Sequence, residues 1–382
     1  MKFSIYSTEF KNITERAAVV CLKKGLSTVT SLLIIADKEN QRVIIKAANL
    51  NSFVEIFSDD VRVEEGGKIF VELENIKRLY NIIGKITVEA TKNFIRVRSN
   101  KKQGEVYAFA DLDEIAFPEI VPDKAFSADK DDMLETFSKL SCCLSGEESR
   151  PIFTGFNVAV NNSGVDRIVS CDGYRAVMRK VEWNFNPALD ITIPGYIVKE
   201  LSKVSANKRK ENIEVFYNEK YAWFVGTDFT YTTRLLEGKY LDIDKNFEVG
   251  YSTYGFEIAA NVLFSIAKEY SGFLKGTQIP MYVCHINGKL VTAAMSSHYR
   301  TSDVLEAENM HDIPENLRYA MNPMYVKDVS EIFEKENIVI EADLNNKYTA
   351  WFFKGDNGYT GLILPVRPRE DLSAIEEFIA SA

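Results

Sequence analysis

Histidine is scarce in this chain of 382 residues: three occur, at positions 285, 298 and 311, and no two stand at the spacing that a metal site needs. Cysteine is nearly as rare. The five that occur are an odd number, with Cys142 and Cys143 adjacent and no C-x-x-C pair, which argues for a reducing compartment and against a disulfide framework or zinc ribbon. The patterns G-x-G-x-x-G, G-x-x-x-x-G-K-[ST], H-E-x-x-H and G-x-S-x-G are missing, so dinucleotide, P-loop, zinc-protease and hydrolase chemistry lose their usual support. No stretch approaches the ~18 apolar residues of a membrane helix. The opening MKFSIYSTEF has neither a basic region before an apolar run nor a small-residue cleavage site, so a cytoplasmic location is expected. Positive charge is also in short supply. Forty-six basic against 55 acidic residues leave a net charge of -9, which excludes a surface coated in cations for tight, nonspecific nucleic-acid binding.

What is present is enough apolar material, 46% of residues, to fill several cores, and at roughly 100 to 200 residues per domain the length calls for two to four domains. Repetition decides how they are arranged. FVELENIKRLYNII (70–83) reads as a strand end followed by a helix with Ile76, Leu79, Tyr80 and Ile83 on one face. TIPGYIVKELSKV (192–204) repeats this with Pro194 in the first helical turn and Ile197, Leu201 and Val204 on one face. AMNPMYVKDVSEIF (320–333) repeats it again with Asn322 as N-cap, Pro323 at the first helical position, then Val326, Val329 and Phe333.

Behind each helix stand two alternating runs joined by a polar turn, KITVEATKNFIRVRS, NIEVFYNEKYAWFVG and NIVIEADLNNKYTAWFF, which read as β-hairpins. Lys77, Lys199 and Lys327 are separated by 122 and 128 positions, and Ile95, Trp223 and Trp351 by 128 twice, so a unit of about 125 residues occurs three times. Each unit also opens on a helical segment (9–24, 129–145 and 256–272) followed by several strand runs. The expected fold class is α+β, three tandem repeats with helices covering one face of antiparallel sheets. The borders fall at 1–126, 127–251 and 252–367, with 368–382 as an extension.

The chemistry-rich SCDGYRAVMRK (170–180) sets a thiol, a carboxylate, a phenol and a guanidinium side by side. An enzyme using Cys171 as nucleophile beside Asp172 is one reading. The other is a strand, then a turn made by Asp172-Gly173, then a strand, which explains both residues without catalysis. Acidic clusters in EGGKIFVELE and DKDDMLE lie at helix starts, where the helix dipole stabilises them, so no metal is expected.

Cations recur on the repeated helices, opposite their apolar faces: Lys11, Arg16, Lys23 and Lys24; Lys77 and Arg78; Lys199 and Lys203; Lys268; Lys327 and Lys335. Solvated helix faces account for them singly. If those faces share one side, they concentrate positive potential where a polyanion lies, held through phosphates without choice of sequence.

MKF at the start, FPEI (117–120), SCDGYRAV, LLEGKYLDI, NPMYVKDVSEIF and the late LILPVR, in this order and within a threefold repeat, resemble the landmarks of the bacterial DNA polymerase III β subunit, the sliding clamp. The resemblance covers residues 1 to 367. It implies a ring-shaped, head-to-tail homodimer of three clamp domains per chain, helices lining a hole for duplex DNA and sheets outside. It further implies no catalytic activity and no cofactor, with processivity conferred on a replicative polymerase by topology. Partners implied are a polymerase, a clamp loader and repair proteins, each inserting a peptide like Q-L-x-L-F into an apolar cleft.

Carried over by position, that cleft comprises Phe153, Cys171, Gly173, Tyr174, Arg175, Ala176, Asn322, Tyr325, Leu362, Leu364, Pro365, Val366 and Arg367. Here Ala176 stands in place of the family's leucine, enlarging the pocket, and Phe153 refills it. The resemblance places DNA contacts at Lys24 and Arg150, joined by Lys77, Arg78, Lys199, Lys203 and Lys327, and the dimer edges around Val106, Tyr107 and Phe273. A repeat-built scaffold unrelated to DNA is the remaining alternative. The tail departs from the family: Leu372, Ile375 and Ile379 at i, i+3 and i+7 suggest a short amphipathic helix. It frays or packs on the surface, or it visits the cleft and competes with partners.

Overall fold

The computed structural model describes residues 1–110, 112, 115–120, 124–147, 149–161, 163–207, 209–247, 253–273, 279–295, 299–315, 317–334, 336–343, 349–367 and 373–380. The threefold repeat is plain in the order of elements. The first comprises β1 (Lys2–Tyr6), α1 (Ser7–Ala17), β2 (Ser31–Asp37), β3 (Arg42–Ala48), β4 (Ser52–Ser58), β5 (Val61–Glu65), β6 (Gly67–Glu72), α2 (Leu73–Lys77), β7 (Lys85–Ala90), β8 (Phe94–Arg98) and β9 (Gln103–Tyr107). The second comprises β10 (Lys124–Asp129), α3 (Lys130–Leu140), β11 (Gly155–Val160), β12 (Asp166–Cys171), β13 (Arg175–Lys180), β14 (Asp190–Pro194), α4 (Ile197–Val204), β15 (Asn212–Tyr217), β16 (Tyr221–Val225) and β17 (Phe229–Arg234). The third comprises β18 (Thr253–Ala259), α5 (Ala260–Phe273), β19 (Met281–Ile286), β20 (Lys289–Met295), β21 (Arg300–Leu305), β22 (Glu308–His311), β23 (Arg318–Met321), α6 (Pro323–Ile332), β24 (Asn337–Asp343), β25 (Trp351–Lys354) and β26 (Tyr359–Ile363). A last helix, α7 (Ser373–Ala380), follows.

The hairpins read from period-two alternation form as β7/β8, β15/β16 and β24/β25, all antiparallel. In α6 the Asn322 side chain accepts from the Met324 amide at 3.0 Å and Pro323 opens the first turn, as its sequence requires. Val326, Val329 and Phe333 are buried on its inner face, as are Ile197, Leu201 and Val204 on α4. Two details differ from expectation. Pro194 ends strand β14 three residues before the first residue of α4 rather than sitting in the helix. Helix α2 stops at Lys77, so Ile83 falls beyond it and is 77% exposed while Ile82 takes the buried place.

The backbone forms two compact units, Met1–Glu135 with Trp183–Glu237, and Thr136–Glu182 with Gly238–Ala382. These do not coincide with the repeats, because strands pair across the repeat borders. In the first unit β4 pairs antiparallel with β17, so the sheet runs β10-β15-β16-β17-β4-β3-β2-β6. In the second, β13 pairs with β26, giving the run β11-β12-β13-β26-β25-β24-β18-β22. The strands equivalent to these partners, β9 and β21, each end a sheet: β5-β1-β7-β8-β9 in the first unit and β21-β20-β19-β23 in the second.

Among the described cations expected on solvated helix faces, Arg16 is the exception. Arg16, read from sequence as a surface charge, is 4% exposed: its Nη1 and Nη2 donate to the Asp228 carboxylate at 2.9 and 2.7 Å, and its Nε donates to the Val204 carbonyl at 2.7 Å. It ties α1 to the end of α4 within the first unit.

Candidate functional site

Within the second unit, β12 ends at Cys171 and the chain reverses through Asp172-Gly173, with Gly173 at φ +91°, a region that a residue with a side chain enters only with strain. Asp172 Oδ1 accepts from the amides of Tyr174 and Arg175, both at 2.9 Å, which fixes the turn. Arg175 is folded back against it: Nε donates to Asp172 Oδ2 at 3.0 Å, Nη1 donates to Asp328 Oδ2 at 2.7 Å, and the guanidinium lies 4.4 Å from the centre of the Tyr325 ring. Tyr174, 62% exposed, stacks on Tyr325 with ring centres 6.4 Å apart. Arg175 is therefore a pin that holds the turn to α6, and Tyr174 and Tyr325 form an aromatic rim.

Beside this rim opens a cavity of about 360 Å³ lined by Cys171, Gly173, Tyr174, Arg175, Ala176, Leu241, Ile243, Lys245, Asn246, Thr349, Ala350, Phe352, Leu362 and Leu364. Its walls are mostly apolar with a few polar groups at the edge, the composition of a site for a short peptide anchor. The floor is a buried cluster of Val169, Cys171, Ala176, Met178, Tyr240 and Ile243. Phe153 packs on that cluster, edge-on to Tyr240 with ring centres 5.6 Å apart, and so sits behind the cavity rather than in it.

Of the other expected cleft residues, Asn322 acts through its N-cap, and Pro365, Val366 and Arg367 follow the wall strand without lining the cavity. Leu364 donates its amide to the Tyr174 carbonyl and Val366 to the Ala320 carbonyl, both at 2.8 Å. The expected cleft did not include Leu241, which stands where the family has a proline, nor Ile243, Lys245, Asn246, Thr349, Ala350 or Phe352. The first two lie in LLEGKYLDI, whose apolar spacing was the available signal.

Cys171 is 5% exposed, and burial pushes its thiol above the usual range, with the Gly173 amide donating to Sγ at 3.3 Å. A nucleophilic cysteine needs the opposite shift. The thiol is a wall group.

The first unit contains a counterpart of this turn. Asn49 Oδ1 accepts from the amides of Asn51 and Ser52, both at 2.8 Å, as Asp172 does for its own turn. The second residue of the following strand is Phe53 in one case and Ala176 in the other. Phe53 packs edge-on to Phe117 and Tyr221, ring centres 5.4 and 6.0 Å away. Where Ala176 leaves space, Phe53 places a ring.

Five lysines converge elsewhere in the first unit. Lys23, Lys24, Lys77, Lys199 and Lys203 line an open depression of about 980 Å³, together with Glu15, Glu72, Glu74 and Glu200. Lys77 is partly engaged by Glu74 at 2.7 Å. Glu200 faces inward, accepting from Ser52 Oγ at 2.7 Å and Tyr231 Oη at 2.8 Å, and burial raises its carboxyl above the usual range. Arg78 lies outside this lining, and Arg150 and Lys327 belong to the other unit, where Lys327 pairs with Asp328 at 2.9 Å.

The expected edge residues Val106 and Tyr107 lie in β9, where Tyr107 is 49% exposed. Phe273, also 49% exposed, ends α5 and packs tilted against Tyr299, which precedes β21, with ring centres 4.4 Å apart. Among the described residues no cluster of three metal-ligating side chains occurs, and no helix is long and apolar enough to cross a membrane. His298 and Lys335 fall outside the described residues.

Comparison with known proteins places this geometry. Residues 127–242 match the family model described as DNA polymerase III beta subunit, central domain. The chain is 23% identical over 380 residues to the beta sliding clamp of Streptococcus pneumoniae, covering 93% of this chain and 96% of the relative. Among solved structures, the beta subunit from the DNA polymerase of Streptococcus pyogenes superposes with a TM-score of 0.87 at 18% identity, covering 96% of this chain and 100% of the other. A sliding clamp from Bartonella birtlesii bound to griselimycin superposes with a TM-score of 0.85 at 17% identity, with the same coverages.

Proposed function

We propose that this chain, a member of the DNA polymerase III β-subunit family, is a DNA sliding clamp that encircles duplex DNA as a ring of two copies and receives partner peptides in the cleft beside Ala176. It is non-catalytic, and its place of work is the cytoplasm. The observation that carries the ring is the pair of unmatched edges. Two junctions are already made inside the chain, β4 on β17 and β13 on β26. For the third, β21 on β9, both strands stand at sheet ends among the described residues. Two copies joined head to tail would pair both, continuing the sheets across each subunit border as β4–β17 and β13–β26 do within the chain.

Substituting lysine for both Tyr107 and Phe273 sets like charges on the two edges. By light scattering at micromolar concentration, the wild-type chain should have twice the chain mass and the variant the mass of one chain. A wild-type monomer would sink the ring.

The lysine depression gives the duplex a weak, sequence-blind contact, since phosphates carry no base information. Retention comes from topology instead. Once loaded, the clamp should stay on closed circular duplex and slide off the linear form. Reversing Lys24, Lys199 and Lys203 to glutamate should lower the slope of log affinity against log salt by about 3. Equal loss from circular and linear DNA would reject encirclement.

The cleft fits a peptide such as Q-L-x-L-F because its floor is apolar and its rim aromatic. Replicative polymerase, clamp loader and repair proteins are the partners that would carry such a segment.

A further inference from the structure

The described part of the tail, 373–380, does not line the cleft. In α7, Ile375 and Ile379 are one turn apart and bury themselves, at 1% and 9% exposure, against Tyr282, Cys284, Val291, Ala293 and Ala320. Glu376 Oε1 accepts from Arg318 Nε at 2.6 Å. The strands underneath are built for a cover. A sheet with one wet face alternates apolar and polar residues. In β19, however, Met281, Tyr282, Val283 and Cys284 are all buried, so both faces of the strand are dry.

Ala320 connects this cover to the cleft. Its side chain belongs to the cluster under α7, and its carbonyl accepts from the Val366 amide at 2.8 Å. Two residues earlier, Leu364 lines the cavity and donates to the Tyr174 carbonyl. The wall segment is thus held on Tyr174, then on β23, and β23 also carries the docked helix α7.

We propose that α7 is a clasp: its docking on β19, β20 and β23 keeps the run from Leu364 to Arg367 in position, so peptide affinity depends on a helix that does not itself line the cavity. This rests on reading the cleft as the peptide site. A wall ordered in advance need not be ordered when the peptide arrives, which is how preorganisation raises affinity.

The test uses the full chain and a labelled Q-L-x-L-F peptide, read by fluorescence anisotropy, with hydrogen exchange at the Leu364 and Val366 amides measured alongside. Ile375→Asp should release α7, weaken the peptide about tenfold and speed exchange at both amides. Because that change also bares an apolar face, Glu376→Lys gives a milder release by opposing Arg318, while Glu376→Gln keeps an acceptor for it and should bind like the wild type. Faster exchange within α7 at unchanged peptide affinity and unchanged Leu364 and Val366 exchange would overturn the clasp. So would tighter binding, which would make α7 a competitor. If the wild-type chain binds no peptide, the reading of the cleft fails, and the exchange rates still decide whether α7 holds the wall.

Discussion

Ala176→Phe should weaken a Q-L-x-L-F peptide by about 100-fold, roughly 2.7 kcal/mol, while leaving the chain folded. Ala176 lines the cavity and lies 1% exposed on its floor, so a larger side chain there has open space on one side and grows into it. The chain already contains the outcome of this substitution. At the matching place in the first unit, Phe53 packs against Phe117 and Tyr221 in a sheet that pairs as regularly as its counterpart. Overpacking a closed core typically costs about 1–3 kcal/mol; growth into a cavity should cost less. Isothermal titration with the peptide and a thermal melt separate the two effects. Unchanged peptide affinity in a folded variant would place the binding site elsewhere.

Arg16→Ala should destabilise the first unit by about 3–5 kcal/mol, the range for removing one partner of a buried ion pair. Three donated hydrogen bonds go at once, two to Asp228 and one to the Val204 carbonyl. Asp228 is left with the Asn207 amide group at 3.1 Å as its remaining side-chain donor among the described contacts. Burial alone would raise the Asp228 carboxyl; hydrogen bonding and charge from Arg16 outweigh it and hold the group below the usual carboxylate range. A carboxyl depressed on folding contributes stability above its unfolded pKa and loses it as the pH falls through the folded one. The difference between wild type and variant should therefore be full near neutrality and shrink on acidification below about pH 4. Urea unfolding at two pH values measures both, and a difference that grows in acid would contradict the assignment.

How much of this could be read in advance depended on the range of the interactions. The hairpins and α6 were legible because their signals are local: alternation for the strands, and Asn322-Pro323 followed by apolar residues on one face for the helix. Ile83 misled because its periodicity runs on past Lys77, where the backbone has already turned. Arg16 misled because a charge opposite an apolar stripe reads as solvated, and its partner lies 212 positions away. The cleft divides in the same way. SCDGYRAV announces a turn and two strand ends by itself. Thr349, Ala350 and Phe352 join it only through the pairing of β25, β26 and β13, which no local pattern encodes. The tail was legible as a helix from Leu372, Ile375 and Ile379, of which Leu372 falls outside the described residues. Its landing place was written in β19, whose unbroken apolar run asks for a cover on each face.

The border-crossing pairs β4–β17 and β13–β26 separate the unit of repetition from the unit of folding. A fragment excised at 127 and 251 would cut β10 in half, bare the edges of β13 and β17 and lose the neighbours that complete both sheets. Dissecting this chain into working parts by its internal periodicity would thus cut through its most regular hydrogen bonding.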